Sequence, residues 1–298
     1  MNPLTITGLM TAVAVTSLAV VGCKRAEGVK SAKTTIQCKG SDTMVNVVQA
    51  WAEEYHKQHQ DVTVEVSGGG SGQGIAALIK GTIDLATLSR DLKEEEKARA
   101  RKNTGKEPRE TKVGYDALAI YVHKDNPLEE ISLEQLSNIF AEGGTITKWS
   151  QIGVPPLGGR DEIIRVSRQS SSGTYEFFRE HVLNKKDFKL GSRDMNGSKE
   201  VVELVGNTPT AIGYSGMGYA TPAVKMLKVR PQAGAEAVAP TVENTLSKKY
   251  PIARSLLVCS LGEPQDALQT FIAWILSAPG QDIVRKCGYI PVPSATGK

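Results

Sequence analysis

The fold of this chain is decided by one stretch, Ile163-Ile164-Arg165-Val166-Ser167-Arg168-Gln169-Ser170-Ser171-Ser172-Gly173-Thr174-Tyr175-Glu176-Phe177-Phe178. A β-branched run ends in an arginine, and a polar turn of serine, glycine and threonine follows. Apolar side chains then recur with the spacing of one helix face, at Tyr175, Phe178, Val182 and Leu183. Glu176 supplies the carboxylate expected in a first helical turn. The stretch therefore predicts a strand, a polar turn and the N-terminus of a helix.

A turn of this kind presents several groups that bind an anion. The N-terminus of a helix offers unpaired N–H groups and the positive end of the helix dipole. Ser172 and Thr174 add hydroxyl donors, and Arg168 adds a guanidinium. These groups favour a small oxyanion as ligand. The alternative is an ordinary helix cap, because serine, threonine and glycine are common there without any ligand.

Length and composition indicate a folded protein of two domains that does not bind nucleic acid. The chain has 298 residues, of which 40% are hydrophobic and 23% charged, and this suits a core of ordinary size. The net charge is only +4, and no long Lys/Arg block is present. Aromatic residues make up 5% of the chain, too few for a base-stacking surface.

The first residues resemble a bacterial lipoprotein signal. Residues 1–22 carry no Asp, Glu, Lys or Arg, and Val20-Val21-Gly22-Cys23 then resembles a lipobox. The resemblance implies a signal peptide over residues 1–22, acylation of the Cys23 sulfur and a polar tether over residues 23–33. One departure is the lack of the usual Lys or Arg at the start. A transmembrane helix is the alternative, and frequent Thr, Ser and Gly residues disfavour it.

The remaining cysteines and the histidines give no metal or redox motif. Cys38 lies at the end of a predicted strand and Cys259 inside another, so both are expected to be buried and unreactive. With Cys287 they allow at most one disulfide. No Cys-x-x-Cys occurs, and the pair His56 and His59 lacks an Asp, Glu or Cys partner in its pattern. We therefore predict no metal site and no cofactor.

Four serines share one arrangement along the chain. Each follows a predicted strand, lies in a turn and precedes a predicted helix, at Ser41, Ser71, Ser89 and Ser172. In an α/β sheet, ligands bind beyond the carboxyl ends of the strands. Turns that meet at one cleft would place several neutral donors and helix N-termini around a single anion. The repetition favours an oxyanion site over four unrelated caps.

The rest of the pattern alternates between strands and helices. Strands are predicted over residues 34–38, 62–66, 83–88, 116–123, 211–215, 225–229 and 254–259, and helices over 44–55, 75–79, 92–102, 132–140, 199–205, 265–276 and 281–286. Residues 103–110 are predicted to form a polar loop, and Asp91 with Glu94 a capping box.

The ordered set of motifs resembles a known family. The strings are Gly40-Ser41-Asp42-Thr43, Gly69-Gly70-Ser71-Gly72, Ile83-Asp84 through Ser89-Arg90, Arg168 with Ser172-Gly173-Thr174, and Ala211-Ile212-Gly213-Tyr214. Over nearly all of residues 34–292 they resemble the periplasmic phosphate-binding proteins of the phosphate ABC importer. The resemblance implies an α/β chain with the type II periplasmic-binding-protein fold, in which two lobes are joined by two crossing strands and the ligand lies in the cleft. It places the crossings near Ala117–Val122 and Arg254–Ser260, lobe I at residues 34–122 with 252–298, and lobe II at residues 123–251.

The resemblance also implies a role for each matching residue. Hydroxyl groups of one lobe would donate hydrogen bonds to phosphate, from Ser41, Thr43, Ser71 and Ser89. Arg168 would form charge-assisted bonds from the other lobe. N–H and hydroxyl groups would complete the cradle, from Ser172, Gly173 and Thr174.

Two departures from the family concern an acceptor. Some members carry an aspartate at the position of Ser89, to accept the proton of phosphate, and an acidic residue at the position of Ser170, to brace the arginine. Both are serine here, and a site of donors alone cannot reject sulfate. Asp42 is the nearest candidate acceptor, with a helix N-cap as the alternative. Arg90 is expected to be a second anion contact, with a surface cation that balances Glu94 as the alternative.

The expected function is capture of inorganic phosphate and its delivery to an ABC permease, without catalysis. The protein is expected to be an exported monomer, anchored to a membrane through Cys23 and facing a periplasm or the outside. Sulfate, molybdate or tungstate is the alternative ligand. A secreted serine hydrolase or phosphatase is the alternative from another class, and it is disfavoured because no serine lies in a GxSxG elbow.

Overall fold

The computed structural model describes Met1 and residues 33–293, and residues 33–293 belong to one compact unit. The predicted signal peptide, the acylation of Cys23 and the predicted tether up to residue 32 fall on residues that are not described. No helix within residues 33–293 is both long and apolar enough to cross a membrane.

The described chain alternates between strands and helices. The strands are β1 Thr34–Gly40, β2 Val62–Ser67, β3 Leu85–Leu88, β4 Pro108–His123, β5 Glu130–Ser132, β6 Ile164–Arg168, β7 Arg193–Met195, β8 Ala211–Gly216, β9 Val224–Met226, β10 Lys228–Arg230 and β11 Ala253–Leu261. The helices are α1 Val45–Gln58, α2 Ser71–Ile79, α3 Glu94–Thr104, α4 Leu133–Phe140, α5 Gly173–His181, α6 Ser198–Gly206, α7 Val242–Leu246, α8 Asp266–Leu276 and α9 Ala278–Lys286.

Most of the described strands form one sheet, in the order β2-β1-β3-β11-β4-β8-β6-β7, with β9 also paired to β4. At one end β1 runs parallel to β2 and β3, and at the other end β6 runs parallel to β7 and β8. β11 is antiparallel to both β3 and β4. β5 and β10 form a separate parallel pair.

The strands β4 and β11 join the two ends of the sheet. β4 pairs with β11 over its first part and with β8 from Leu118 to Val122. One continuous strand therefore belongs to both halves, and β11 lies beside it. The crossings predicted near Ala117–Val122 and Arg254–Ser260 lie in this pair of strands, while the lobe boundaries drawn from them stay a prediction.

Separate apolar clusters hold the two parts of β4. One contains Trp51, Val113 of β4 and Leu256 of β11, and another contains Trp149 and Leu118 of β4. Both indoles are buried, and each N–H donates to a backbone carbonyl, at 2.8 Å for Trp51 and 3.0 Å for Trp149. A fully buried apolar side chain contributes about 1.5–3 kcal/mol, so these clusters fix the strand ends on which the polar turns lie.

Several predicted elements differ from the structure in detail. α3 begins at Glu94, and Glu96 accepts the hydrogen bond from Lys93 N at 2.9 Å, so the predicted capping box of Asp91 with Glu94 is wrong. The predicted loop over residues 103–110 is partly helix and partly strand, because β11 pairs with β4 as far as Pro108. β7 and α7 were not predicted, since elements of three and five residues show little periodicity.

The three cysteines among the described residues are free thiols. Cys38 and Cys259 are buried, and burial raises the pKa of each to about 12. The prediction that both are buried is confirmed, and a raised pKa keeps a thiol out of its reactive thiolate form. Cys287 is half-buried, and no two of the three form the disulfide that their number allows.

Candidate functional site

The four serine turns lie directly against one another. The Ser41 N–H donates to Thr87 O at 2.8 Å, and the Ser89 N–H donates to Ser71 Oγ at 3.1 Å. A Cβ on Gly173 would lie only 2.2 Å from Ser71 Oγ and 2.8 Å from Ser89 Oγ. The N-terminus of α5 therefore faces the serines that follow β2 and β3.

Two of these serine hydroxyls have no hydrogen-bond partner within the described part of the chain. Ser41 Oγ and Ser89 Oγ are both buried. A buried donor left without a partner costs about 1–3 kcal/mol, and native proteins rarely contain one without a reason. Arg168 Nε is buried as well, and no described residue accepts a hydrogen bond from it. Three unsatisfied donors on neighbouring turns are what an anion with several oxygens would satisfy.

Arg168 is the fixed cation of the site. It is the last residue of β6, and its side chain is fully buried. Nη1 donates to Ser198 Oγ at 3.0 Å, and Nη2 donates to Asn196 O and Asp42 Oδ2, both at 2.9 Å. Burial lowers the pKa of the guanidinium, and the Asp42 carboxylate opposes this. The group stays charged near neutral pH because arginine starts from a pKa above about 12.

Asp42 connects the first turn to the glycine run and to the arginine. Its Oδ2 accepts from Arg168, and its Oδ1 accepts from the Gly69 N–H at 2.8 Å. α1 begins at Val45 and has no side-chain cap. The N-cap alternative for Asp42 is therefore wrong, and the carboxylate is directed towards the other turns.

Two phenols fix the backbone of the first turn. Tyr219 Oη donates to Asp42 O at 2.9 Å, and Tyr289 Oη donates to Thr43 O at 2.6 Å. Burial raises the pKa of both phenols well above the ordinary value, so both remain protonated donors near neutral pH. The two carbonyl oxygens, which would repel an anion, are thereby bound by other partners.

Ser172 is the N-cap of α5. Its Oγ accepts from the Thr174 N–H at 3.1 Å and from the Tyr175 N–H at 3.4 Å. The cap alternative considered for this turn therefore holds for the Ser172 hydroxyl. Both bonds use its lone pairs, so its proton stays free to donate.

The sequence analysis missed two charged residues at the site, Asp116 and Arg254. They are buried cross-strand partners on β4 and β11, and Arg254 Nε and Nη2 donate to Asp116 Oδ2 at 2.9 and 2.8 Å. Arg254 Nη1 also donates to Thr174 Oγ1 at 3.0 Å. Burial raises the pKa of the Asp116 carboxyl, and the Arg254 guanidinium opposes that rise. The sequence feature that could have identified them is a charged residue inside an apolar strand, because such a residue is rarely buried without a partner.

Arg90 lies in an ion pair that was not predicted from the sequence. Its Nη1 and Nη2 donate to the two carboxylate oxygens of Glu96, at 2.8 and 2.7 Å. The pair is buried, so the alternative of a surface cation that balances Glu94 is wrong. Both terminal nitrogens bond to Glu96, and the buried Nε has no partner within residues 33–293, so the anion contact of Arg90 stays a prediction.

Contacts between the two halves of the sheet surround these groups. The Gly72 N–H donates to Ser171 O, and Ser171 Oγ donates to Gly69 O, both at 3.1 Å. Nearer the surface, Lys93 Nζ lies 2.5 Å from Glu176 Oε2. The two halves are thus in contact from the buried hydroxyls out to the surface of the protein.

The assembled groups are suited to holding a small oxyanion. They supply hydroxyls, helix N–H groups and two guanidiniums, and two carboxylates keep those guanidiniums in place. Within residues 33–293, no group of three His, Cys, Asp or Glu side chains could hold a metal ion. Charged and neutral donors in this mixture bind an anion through short, directed hydrogen bonds.

Residues 26–279 match the family described as a PBP superfamily domain. The chain is 34% identical over 297 residues to the phosphate-binding protein PstS of Pseudomonas aeruginosa, a match that covers 96% of this chain and 91% of the relative. The chain belongs to this phosphate-binding protein family. The chain is also 32% identical over 277 residues to Protein SphX of Synechococcus elongatus. That match covers 88% of this chain and 79% of the relative.

Solved structures also resemble this member of the phosphate-binding protein family. A phosphate ABC transporter substrate-binding protein from Clostridium perfringens, with bound phosphate, is 32% identical with a TM-score of 0.76, covering 87% of this chain and 100% of that chain. An ABC-type phosphate transport receptor from Vibrio cholerae is 29% identical with a TM-score of 0.68, with the same coverage of 87% and 100%. The predicted family and the type II periplasmic-binding-protein fold are confirmed. The family consists of solute-binding components of transporters and not of enzymes.

Proposed function

We propose that this protein captures inorganic phosphate and delivers it to an ABC permease. The observation that carries the proposal is a set of buried donors without a partner among residues 33–293, namely Ser41 Oγ, Ser89 Oγ and Arg168 Nε. They lie on the turns that also carry the α5 N-terminus and the other hydroxyls. Phosphate offers four oxygens, so it can accept hydrogen bonds from several directions at once.

The proposed phosphate-binding residues are those that the turns bring together. They are Ser41, Asp42, Thr43, Ser71, Ser89, Arg168, Ser172, Gly173 and Thr174. Ser71 Oγ already accepts from the Ser89 N–H, so it would offer its proton to the ligand.

Asp42 is proposed both to accept the proton of phosphate and to brace Arg168. Phosphate near pH 7 carries a proton that sulfate lacks, so a carboxylate acceptor distinguishes the two anions. A carboxylate has about four lone-pair sites, and the bonds from Arg168 and Gly69 use two of them. One residue would then perform the tasks that other family members divide between the positions of Ser89 and Ser170.

Binding is proposed to be coupled to closure of two lobes, residues 34–122 with 252–298 and residues 123–251. Ion pairs support this, because Asp42 pairs with Arg168 and Lys93 with Glu176 across the proposed boundary. An anion that contacts both lobes favours the closed arrangement, since only there are all of its oxygens bonded. The closed form is the state that the permease would recognise.

The protein is also proposed to act outside the cytoplasm, as a monomer held at a membrane by acylated Cys23 and facing a periplasm or the outer surface. The lipobox-like Val20-Val21-Gly22-Cys23 supports the anchor. Cys23→Ser is expected to release the protein from the membrane fraction of cells. A variant that stayed with the membranes would contradict the anchor.

Another tetrahedral oxyanion is the second candidate ligand, because Ser89 supplies no carboxylate where some family members have one. Sulfate, molybdate and tungstate would all suit a site of donors alone. The serine hydrolase alternative would require covalent labelling by an active-site serine probe, and we expect none.

Thermal unfolding of the purified protein with each of these anions tests the proposal. A ligand at roughly a thousand times its dissociation constant should stabilise the protein by about 4 kcal/mol. We expect this shift with phosphate and a smaller one with sulfate, molybdate and tungstate. No selective shift with phosphate would contradict the proposal, and a larger shift with another oxyanion would favour the second candidate.

A further inference from the structure

We propose that Arg254 is a positioning residue that aligns the Thr43 and Thr174 hydroxyls for the bound anion, and that Asp116 holds its guanidinium in place. The inference rests on the proposed function and deepens it. The proposed determinant of affinity lies near the start of β11, outside the turns that carry the family motifs.

One guanidinium contacts three of the turns. Arg254 Nη1 donates to Thr174 Oγ1 at 3.0 Å and to Ser89 O at 3.2 Å. Nη2 donates to Thr43 Oγ1 at 3.3 Å. The turn after β1, the turn after β3 and the N-terminus of α5 are therefore connected through a single side chain on a crossing strand.

The chemistry of arginine sets the direction of the two threonine hydroxyls. Arginine can only donate hydrogen bonds, so Thr43 Oγ1 and Thr174 Oγ1 both turn a lone pair towards Arg254. The same two oxygens lie 2.9 Å apart and share a hydrogen bond in which only one of them donates. The proton of the other hydroxyl is directed away from the guanidinium and is left for an anion.

Asp116 keeps the guanidinium in this orientation. Its Oδ2 accepts from Nε and Nη2 of Arg254, and its Oδ1 accepts from the Met217 N–H at 2.9 Å. The pair is buried and neutral as a whole, so it orients donors without adding net charge to the site. A buried ion pair is a poor way to gain stability, since an apolar pair of similar volume often does as well. Its position behind the threonines is explained by alignment of the ligand-binding hydroxyls.

The test is a double-mutant cycle on phosphate affinity, measured by titration calorimetry. Arg254→Met alone would leave Asp116 buried and unpaired, so both residues are replaced, as Asp116→Leu with Arg254→Met. We expect this pair variant to unfold cooperatively and to bind phosphate about 10- to 100-fold more weakly. Thr174→Val is expected to cost about tenfold in the wild type and less than about twofold in the pair variant, because its hydroxyl is no longer aligned there.

Two further variants keep the result interpretable. Arg254→Lys retains the charge but loses the planar fork. Thr174→Val is therefore expected to cost less affinity in Arg254→Lys than in the wild type, as in the pair variant. If the pair variant does not fold, Arg254→Lys tests the role of Arg254 in its place. Arg165→Met removes a guanidinium from β6 that donates to Leu190 O, and it should change affinity by less than about twofold. The proposal would be overturned if the pair variant bound phosphate with an affinity within about threefold of the wild type. It would also be overturned if Thr174→Val cost as much affinity in the pair variant or in Arg254→Lys as it does in the wild type.

The same measurements separate this inference from the proposed function. If the wild type binds sulfate or molybdate in place of phosphate, the proposed function fails, and the cycle run with that anion still decides the role of Arg254. If no tetrahedral anion binds the wild type, both are overturned.

Discussion

Arg168 Nη2 lies 2.9 Å from Asp42 Oδ2, although 126 residues separate the two in the chain. The contact joins the end of β6 to the turn after β1, and the arginine side chain in it is fully buried. Removal of one member of a buried ion pair leaves the other without a partner, which costs more than the pair itself contributes. A substitution at either residue should therefore disturb the binding groups in both halves of the site.

Asp42→Asn is expected to weaken phosphate binding by about 10- to 100-fold and to narrow the preference for phosphate over sulfate. Asparagine keeps an oxygen for the Gly69 N–H but brings an NH₂ group towards Arg168 or the anion. Titration calorimetry with both anions measures the effect. Asp161→Asn is the control, because Asp161 accepts from Ser150 N in the same way outside the site. Unchanged selectivity in Asp42→Asn would show that the acceptor is another group.

Arg168→Lys is expected to reduce phosphate affinity by about 100-fold or more. A lysine ammonium cannot reach Ser198, Asn196 and Asp42 together and still present a donor to the ligand. The same calorimetric measurement on Arg165→Lys, on the same strand, serves as the control and should show little change. Wild-type affinity in Arg168→Lys would remove the arginine from the proposed ligand residues.

Gly173→Ala is expected to lower phosphate affinity by about tenfold or more, because the new Cβ would lie 2.2 Å from Ser71 Oγ. Gly143→Ala is the matched control: its φ is +75° and no atom lies within 4 Å of the added Cβ. That variant should lose about 1–2 kcal/mol of stability through backbone strain and keep its affinity. Calorimetry and thermal unfolding together separate the two effects. Normal affinity in Gly173→Ala would mean that the serines do not approach α5 this closely when phosphate is bound.

Glu96→Gln is expected to lower the stability at pH 7 without changing phosphate affinity. Burial raises the pKa of the Glu96 carboxyl, but hydrogen bonds from Arg90 and Lys93 outweigh burial, and the pKa is lowered. A carboxyl with a lowered pKa in the folded state stabilises the protein above its unfolded value of about 4.3 and loses this contribution as pH falls through the folded pKa. The difference between wild type and Glu96→Gln, measured by urea unfolding, should therefore shrink below about pH 4. Weaker phosphate binding by Glu96→Gln would support the predicted contact of Arg90 with the anion.

The polar turns could be predicted from sequence because each of them is local. In the turn from Ser172 to Thr174, the hydroxyls, the glycine and the helix start lie within a few consecutive residues, so a short pattern contains the whole signal. The same holds for Ser71 and its glycine run. The order of these turns along the chain was enough to indicate the family and the fold.

The pair Asp116 and Arg254 could not be predicted in the same way. The two residues are separated by 138 positions and become neighbours only through the register of β4 with β11. Arg254 is the one charge of β11, and Asp116 is the one charge in the apolar part of β4 from Val113 to Val122. A charge in such a setting indicates a buried partner but does not identify it. The pairing of Arg90 with Glu96 was missed for a related reason: the start of α3, which brings Glu96 to Arg90, lies two residues beyond the predicted start.

Among the strands of residues 33–293, β11 comes last in sequence, yet it lies between β3 and β4 in the sheet. A ribosome therefore makes both halves of the sheet before it makes residues 253–261, the strand that connects β3 to β4. Arg254, the side chain that touches three of the turns, is made at the same late moment. A nascent chain that has not yet reached residue 253 therefore carries the turns of both halves without the strand and the guanidinium that connect them.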